Sequence, residues 1–446
     1  MKIIIAGAGD VGTHLAKMLS TEDHDLMVID NNESHLKRVG SSYDVLTLSG
    51  SASSITLLKD ANIHKADLFI AVTSSEEVNI TAAILGKTLG AKKTIARIDK
   101  IEYLQPKNRE IFINLGIDYM FYPELIAAKE VIGLLHSTGT TDLVDFAGGK
   151  LTLLAVKLTE TAIFLSKSIE EITQEIENLE FRAVAITRNG KTIIPHGIDK
   201  FYVNDLVYFI TNQTGIENIM KYSGKKSYTV NNIMIVGGSR IAKNIALEMG
   251  EHHAVKLIEI DRTKSYTLSN ELHNCLVINA DGRNRDMLMQ EGLPKMDAFI
   301  AVSGNSETNI LSCMLARQVG VKKTIAEVEN LDYINLAEDM GIDSIINKKL
   351  TTASRIFRFT MSKEVSSIKC LKGTEAEVME FEVKPDAKVT LGKLKDIDFP
   401  KDCIIGGVIR GKSSFIANGN TEIRSYDRVV VFALPSAIGK IGKQFS

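Results

Sequence analysis

Two stretches of the chain, Lys2 to Asp30 and Asn232 to Asp261, follow one plan: an apolar run, a glycine turn, a stretch of helical spacing, then a second apolar run ending in Asp. They lie about 230 residues apart, a period that marks duplication of a whole module. Collinear matches continue, with Lys65 to Asn79 (KADLFIAVTSSEEVN) against Lys295 to Asn309 (KMDAFIAVSGNSETN), and Ala91 to Ile98 (AKKTIARI) against Val321 to Val328 (VKKTIAEV). A weaker repeat follows each: Ala185 to Lys191 (AITRNGK) returns as Val408 to Lys412 (VIRGK), and Asp205 to Phe209 (DLVYF) as Asp427 to Val431 (DRVVV). The chain is therefore ordered N, C, N, C. At roughly 150 residues per domain its 446 residues were already too many for one core.

Within each N unit, short β-branched runs without alternation (Ile3 to Ala6, Met27 to Ile29, Leu68 to Val72, Thr94 to Ala96) alternate with stretches of helical spacing. That pattern predicts buried parallel strands joined by crossover helices, the α/β fold with a doubly wound parallel sheet. The C units are rich in Val, Ile, Leu and Thr, with turn signals at Asn189 Gly190 and Gly406 Gly407, and read as small α+β or mostly β lobes of about 80 residues. Helical stretches, Glu124 to His136 and Leu350 to Met361, join N to C without the Gly or Ser of a free linker, so packed helices are expected there. The expected boundaries are 1–122 and 230–348 for the Rossmann-like lobes, 123–140 and 349–365 for the crossover helices, and 141–226 and 366–446 for the C lobes.

Several function classes are disfavoured. The 53 basic and 55 acidic residues leave a net charge of −2, so no bulk positive field awaits nucleic acid. Apolar stretches such as Val429 to Leu434 fall far short of the roughly 20 residues a membrane span requires. The first residues run straight into a glycine turn without a signal-peptide pattern, from which a cytoplasmic location is expected. Cys275, Cys313, Cys370 and Cys403 are scattered, and His252, His253, His273 and Cys275 lack metal-ligand spacing, so no metal is expected.

The chemistry concentrates in the glycine turns. Strand Lys2 to Ala6 leads into Gly7, Ala8, Gly9, Asp10, Val11 and Gly12 and then into a helix, which is the context that gives G-x-G-x-x-G its meaning. Gly7 permits the tight turn, Gly9 close approach of a pyrophosphate, and Gly12 packing of helix on strand, with the phosphates on the helix N-terminus. Asp30 ends the second strand, placed to accept from both hydroxyls of an adenosine ribose. The following Asn31 and Asn32 offer no cation for a 2′-phosphate, and Asp10 should repel a terminal γ-phosphate, so NAD or NADH is the expected ligand. Thr73 and Ser74 fall on the rim where such sheets bind ligands, Arg97 ends the next strand within reach of a phosphate, and Glu77 and Asn79 read as helix caps. In the second unit the turn is Gly237, Gly238, Ser239, Arg240, Ile241 and Ala242, with Asp261 closing the second strand. Ser239 puts a side chain where pyrophosphate should pass, and Arg240 with Arg262 and Lys264 suits ADP or ATP.

Nothing is placed to do chemistry. Two Tyr-x-x-x-Lys strings occur, but Tyr103 to Lys107 contains Pro106, and Tyr222 to Lys226 lies in an apparent linker. Nucleophile-elbow and P-loop motifs are missing, and the adjacent acids Glu76 Glu77 and Glu170 Glu171 read as solvated. The residues alone leave two readings open, a nucleotide-sensing regulator and an NAD-dependent oxidoreductase with duplicated cofactor domains.

The tandem order, the GAGDVG turn with Asp30, ADLFIAVTSSEEVN, TIARI, and C units carrying AITRNGKTIIPHG followed by Asp205 closely resemble the TrkA family over essentially the whole chain. These are cytoplasmic regulators of potassium uptake built from two RCK (KTN) domains, each a Rossmann N lobe and a small C lobe. The resemblance implies a non-catalytic subunit, peripheral to the inner face of the cell membrane, that gates a potassium-translocating membrane partner of the Trk type. It implies a homo-oligomeric ring, from a dimer or a tetramer, whose shape nucleotides alter. It also implies that the NAD-contacting residues fall on Gly7 to Val11, Asp30, Thr73, Ser74 and Arg97. This sequence departs from the pattern at Ser239 and Glu327, in the second half.

Overall fold

The computed structural model describes residues 1–446 except 21–23, 137–138, 147, 177–179, 190, 213, 226–227, 358, 360–364, 372–373, 375, 435–436, 438–440, 443 and 446. The first lobe alternates strand and helix: β1 (Lys2–Ala6), α1 (Asp10–Leu19), β2 (Asp25–Asp30), α2 (Glu33–Ser42), β3 (Leu46–Ser49), α3 (Ile55–Asp60), β4 (Leu68–Ala71), α4 (Glu76–Thr88), β5 (Lys93–Arg97), α5 (Pro106–Asn114) and β6 (Tyr119–Phe121), followed by α6 (Pro123–His136). Its strands are parallel in the order β3-β2-β1-β4-β5-β6. Consecutive Ile3, Ile4 and Ile5 are all fully buried, which explains the missing alternation: helices cover both faces of the sheet. The strand order reverses between β1 and β4, the kind of switch point at which such sheets bind ligands.

The first C lobe holds β7 (Asp142–Phe146), β8 (Leu151–Lys157), α7 (Ile169–Glu175), β9 (Phe181–Arg188), β10 (Lys191–Ile193), β11 (Leu206–Thr211) and α8 (Gly215–Tyr222). Its strands pair antiparallel in the order β10-β9-β11-β8-β7. The second N lobe repeats the first, with β12 (Asn232–Val236), α9 (Arg240–Met249), β13 (Ala254–Glu259), α10 (Arg262–Glu271), β14 (Cys275–Asn279), α11 (Arg285–Gln290), β15 (Ala298–Ala301), α12 (Ser306–Gln318), β16 (Lys323–Glu327), α13 (Asp332–Asp339) and β17 (Ser344–Ile346). The order β14-β13-β12-β15-β16-β17 is that of the first sheet. After α14 (Lys348–Phe357) come β18 (Val365–Cys370), β19 (Glu377–Glu382), β20 (Cys403–Arg410), β21 (Ser413–Ile416) and β22 (Arg428–Ala433), an antiparallel sheet ordered β18-β19-β22-β20-β21. Two tandem Rossmann-like lobes, each with a small C lobe, are thus the fold.

Packing divides the chain into Met1–Ala127 with Lys348–Met361, and Ala128–Asn347 with Ser362–Ser446. In the first unit α14 lies against α1, although it follows the second N lobe in sequence. In the second unit the two antiparallel sheets share one apolar core, to which Leu151, Val184 and Ile210 contribute from one lobe and Val378, Ile409 and Phe432 from the other. The expectation of a turn at Gly406 Gly407 is corrected here, because both residues lie inside β20 at a bulge. A Cβ at Gly406 would sit 2.8 Å from Phe432, 2.9 Å from Ile210 and 3.1 Å from Val184, so glycine serves close approach of the two sheets. The weaker sequence repeat is structural. Arg188 donates from Nε and Nη2 to the Asp205 carboxylate, each at 2.8 Å, and Arg410 donates likewise to Asp427 at 2.9 and 2.7 Å. Among the described residues no helix is long and apolar enough to cross a membrane.

Candidate nucleotide sites

The first glycine turn is built by exclusion of side chains. Gly7 has φ +113°, and a Cβ there would lie 2.8 Å from Thr73 N and the Val72 carbonyl. A Cβ at Gly12 would lie 1.8 Å from Gly7 O, so only glycine lets α1 start this close to β1. Gly9 differs: nothing lies within 4 Å of the position its Cβ would take. It is the N-cap of α1 and has no side chain to cap with, whereas Asn32, Ser54 and Ser75 cap α2, α3 and α4 through their side chains. The first helical bond is Thr13 N to Gly9 O, so the amides of Asp10, Val11 and Gly12 have no carbonyl within the helix to reach. Open space beside uncapped amides at the positive end of a helix fits a pyrophosphate.

At the end of β2, Asp30 accepts from Ala8 N at 2.5 Å and from Asn32 N at 2.8 Å. Its carboxylate thereby ties the turn to the end of β2. Thr73 follows β4 and donates from N and Oγ1 to Asn79 Oδ1 at 2.8 and 2.7 Å, while Ser74 is exposed. Asn79 is no helix cap, as its sequence position had suggested. It is buried and donates to Thr73 O and Arg97 O, cross-linking the ends of β4 and β5, and Ser75 does the capping. Its recurrence as Asn309 in the second copy was the available signal. Glu76 is likewise buried rather than solvated, accepting from Asp99 N at 2.5 Å and Lys100 N at 2.9 Å, while Glu77 stays exposed. Glu171 closes a capping box with Ser168.

Two charges at this turn are set by tertiary structure. Arg97 ends β5 as expected, but its Nη2 lies 3.1 Å from Glu124 Oε1 and 3.4 Å from Asp99 Oδ1, so carboxylates already hold its guanidinium. Asp10 does not stand alone against phosphate: Lys349 Nζ from α14 lies 3.2 Å from its Oδ2. The repulsion of a terminal phosphate expected from Asp10 is thus offset by a cation distant in sequence. One turn along α1, burial and then the charges of Lys17 and Lys349 depress the His14 imidazole to about 4.

The second turn keeps the plan with different side chains. Gly237 has φ +94°, and its Cβ would lie 2.6 Å from Ser303 Cα. Ser239 caps α9, its Oγ accepting from Ala242 N at 3.3 Å, whereas the first turn has no such side-chain cap. Arg240 and Ile241 open the helix behind it. Asp261 does not close the second strand. Register pairs Ile29 with Ala6 and Ile258 with Val236, so the counterpart of Asp30 is Glu259, and Asp261 matches Asn32 as a helix N-cap, accepting from Lys264 N at 2.8 Å. Glu259 is buried, accepts from Gly238 N at 2.7 Å and Asp261 N at 2.8 Å, and pairs with Lys264 Nζ at 3.3 Å. Counting from the apolar run rather than to the nearest Asp would have found it. Ser303, Asn309 and the buried Glu327 take the places of Thr73, Asn79 and Arg97.

The residues considered for hydride chemistry are not assembled. Tyr103 sits in a 3-10 turn (Ile101–Leu104), and Pro106 opens α5, so Tyr103 and Lys107 share no helix. Tyr222 ends α8, and Lys226 lies outside the described residues. Burial pushes the Cys275 thiol up to about 11 and that of Cys403 to about 12, which holds both as thiols.

Comparison with known proteins agrees with this architecture. The TrkA-N domain family matches residues 3–123 and 233–348, and the TrkA-C domain family residues 153–224 and 378–446. The chain is 32% identical over 455 residues to the Trk system potassium uptake protein TrkA homolog 2 of Methanosarcina mazei, covering 100% of both. It is 31% identical over 439 residues to the Trk system potassium uptake protein TrkA of Vibrio alginolyticus, covering 97% of this chain and 95% of that one. Among solved structures, the GsuK RCK domain superposes with a TM-score of 0.62 at 15% identity, covering 100% of this chain and 94% of that one. The GsuK channel bound to NAD gives 0.61 at 14%, covering 100% and 78%. At these identities the likeness to GsuK concerns the fold. The chain belongs to the TrkA family of Trk system potassium uptake proteins.

Proposed function

We propose that this chain is a non-catalytic, nucleotide-binding regulatory subunit, cytoplasmic and peripheral to the inner face of the membrane, that gates a Trk-type potassium-translocating partner. The observation that carries the reading is the uncapped Gly9 turn with Asp30 at the strand end, in a chain akin over its full length to proteins named for potassium uptake. The first turn takes NAD or NADH: Gly7 to Gly12 offer amides to the pyrophosphate, Asp30 accepts from the ribose, and Thr73, Ser74 and Arg97 line the rim. That GsuK, of the same fold, has been solved with NAD and with ADP supports nucleotides as the ligand class. The second turn, with Gly237, Gly238, Ser239, Arg240 and Ile241, takes ADP or ATP, and Glu259 assumes the ribose role that Asp261 spends on capping α10. Chains assemble through their N lobes into a dimeric or tetrameric ring, and ligand binding shifts its shape only by differential affinity for two shapes.

The test is calorimetric titration of the full chain with NADH, NAD, ADP and ATP, in wild type and in Asp30→Ala and Glu259→Ala, joined to copurification with the membrane partner. Loss of NADH binding in Asp30→Ala and loss of a separate ADP or ATP component in Glu259→Ala are the expected results. A wild type that binds none of the four, or that turns over NADH with a small substrate, overturns the reading.

A further inference from the structure

The ion pair at the first turn joins unequal partners. Lys349 is 17% exposed, held by α14 against α1, whereas Asp10 is 61% exposed on the first residue of α1. A largely desolvated ammonium calls for an anion beside it, while an exposed carboxylate swings into water at little cost. The ammonium lies within salt-bridge distance of a side chain whose own amide is among those that face an arriving phosphate. Arg97, the cation sequence placed at this rim, is held by Asp99 and Glu124.

We propose that Lys349 is a phosphate ligand of the first nucleotide site, exchanging the Asp10 carboxylate for the terminal phosphate of a bound nucleoside di- or triphosphate and so tying α14 to what occupies the turn. This rests on the nucleotide-binding reading above. A terminal phosphate carries about −1.5 to −2 charges at pH 7 with three acceptor oxygens, and so competes with the exposed Asp10 carboxylate for the ammonium. The internal pyrophosphate of a dinucleotide is a diester with one charge per phosphate, lies over the helix amides and competes less for Lys349. Lys349 therefore sets the ratio in which the first site takes ADP or ATP against NADH. Because Lys349 lies in the first turn of α14, the exchange also loads that helix.

The experiment titrates the full chain with ADP, ATP and NADH, following the component lost in Asp30→Ala, in wild type, Lys349→Met, Lys349→Arg and Asp10→Asn. Hydrogen exchange of Lys348–Phe357 is followed with and without ADP. Lys349→Met keeps the apolar stem and should weaken ADP and ATP about tenfold while leaving NADH within about twofold. Lys349→Arg should restore most of the loss, and Asp10→Asn should tighten ADP and ATP. ADP should slow exchange along α14 in wild type and not in Lys349→Met. Equal ADP affinity in wild type and Lys349→Met, equal losses for NADH and ADP, or no ADP binding at the Asp30-dependent site overturns the role of Lys349 and leaves the NADH reading standing. A wild type that binds no nucleotide overturns both.

Discussion

Gly9 and Ser239 occupy the same position in two copies of one turn and do opposite things with it. The serine hydroxyl takes the Ala242 amide, while the glycine leaves its helix end bare. Gly9→Ser should therefore keep or raise stability by a few tenths of a kcal/mol, as a cap does over glycine, while weakening nucleotide binding at the first site. Unfolding in urea alongside NADH titration checks the pair, and a variant that binds as wild type does would show that the bare amides are not the phosphate seat. Gly12→Ala is the contrasting case. Its Cβ would meet Gly7 O at 1.8 Å, so this substitution should cost several kcal/mol and remove the turn, although the second copy carries Ala242 at the same place. His14 gives the turn a pH dependence. With its folded pKa near 4, below the ordinary 6.5, the unfolded chain binds the extra proton between those values, so stability falls as pH drops from about 6.5 to 4. The loss reaches about 3 kcal/mol at the lower end, and His14→Gln should flatten that segment of a stability–pH curve.

At the level of elements, the molecule is held by polar ties that the repeat copies. Asn79 bridges the ends of β4 and β5, and Asn309 does the same for β15 and β16 through Ser303 O and Glu327 O. Each amide is buried, and Asn79→Ala or Asn309→Ala should leave carbonyls unpaired and cost about 1–3 kcal/mol in denaturant unfolding. In the C lobes the Arg188–Asp205 and Arg410–Asp427 pairs each span a return of the chain, and each Arg also donates from Nη2 to a carbonyl, of Lys200 and Glu422 respectively. Asp205 is 1% exposed and also accepts from Tyr202 N, whereas Arg188 is 30% exposed, so Asp205→Ala should cost about 1–3 kcal/mol. Thermal unfolding that left Asp205→Ala at the wild-type midpoint would mean that this Arg and Asp serve something other than the fold.

Over the whole molecule, the second unit depends on two sheets that meet where the sequence suggested a turn. Arg182 reaches across from β9, its Nη1 donating to Ile405 O at 3.1 Å and Ala417 O at 2.6 Å, and burial lowers its guanidinium to about 10. Gly406→Val should wedge these sheets apart and cost about 1–3 kcal/mol, with faster hydrogen exchange confined to residues 128–347 and 362–446. The sequence by itself determined the four-lobe order, the parallel and antiparallel classes of the sheets, the first glycine turn and Asp30, because periodicity, turn chemistry and internal repetition are local and survive as pattern. It misread Asp261, Asn79, Glu76 and Gly406 Gly407. In each case residue type was compatible with two environments, and the choice lay with strand register or with a neighbouring segment far along the chain. Only the tertiary structure decided that α14 packs on α1 and that Lys349 faces Asp10. Charges that meet through space leave no periodic trace along the chain, and so the electrostatics of the first turn became readable only after folding had brought its second cation home.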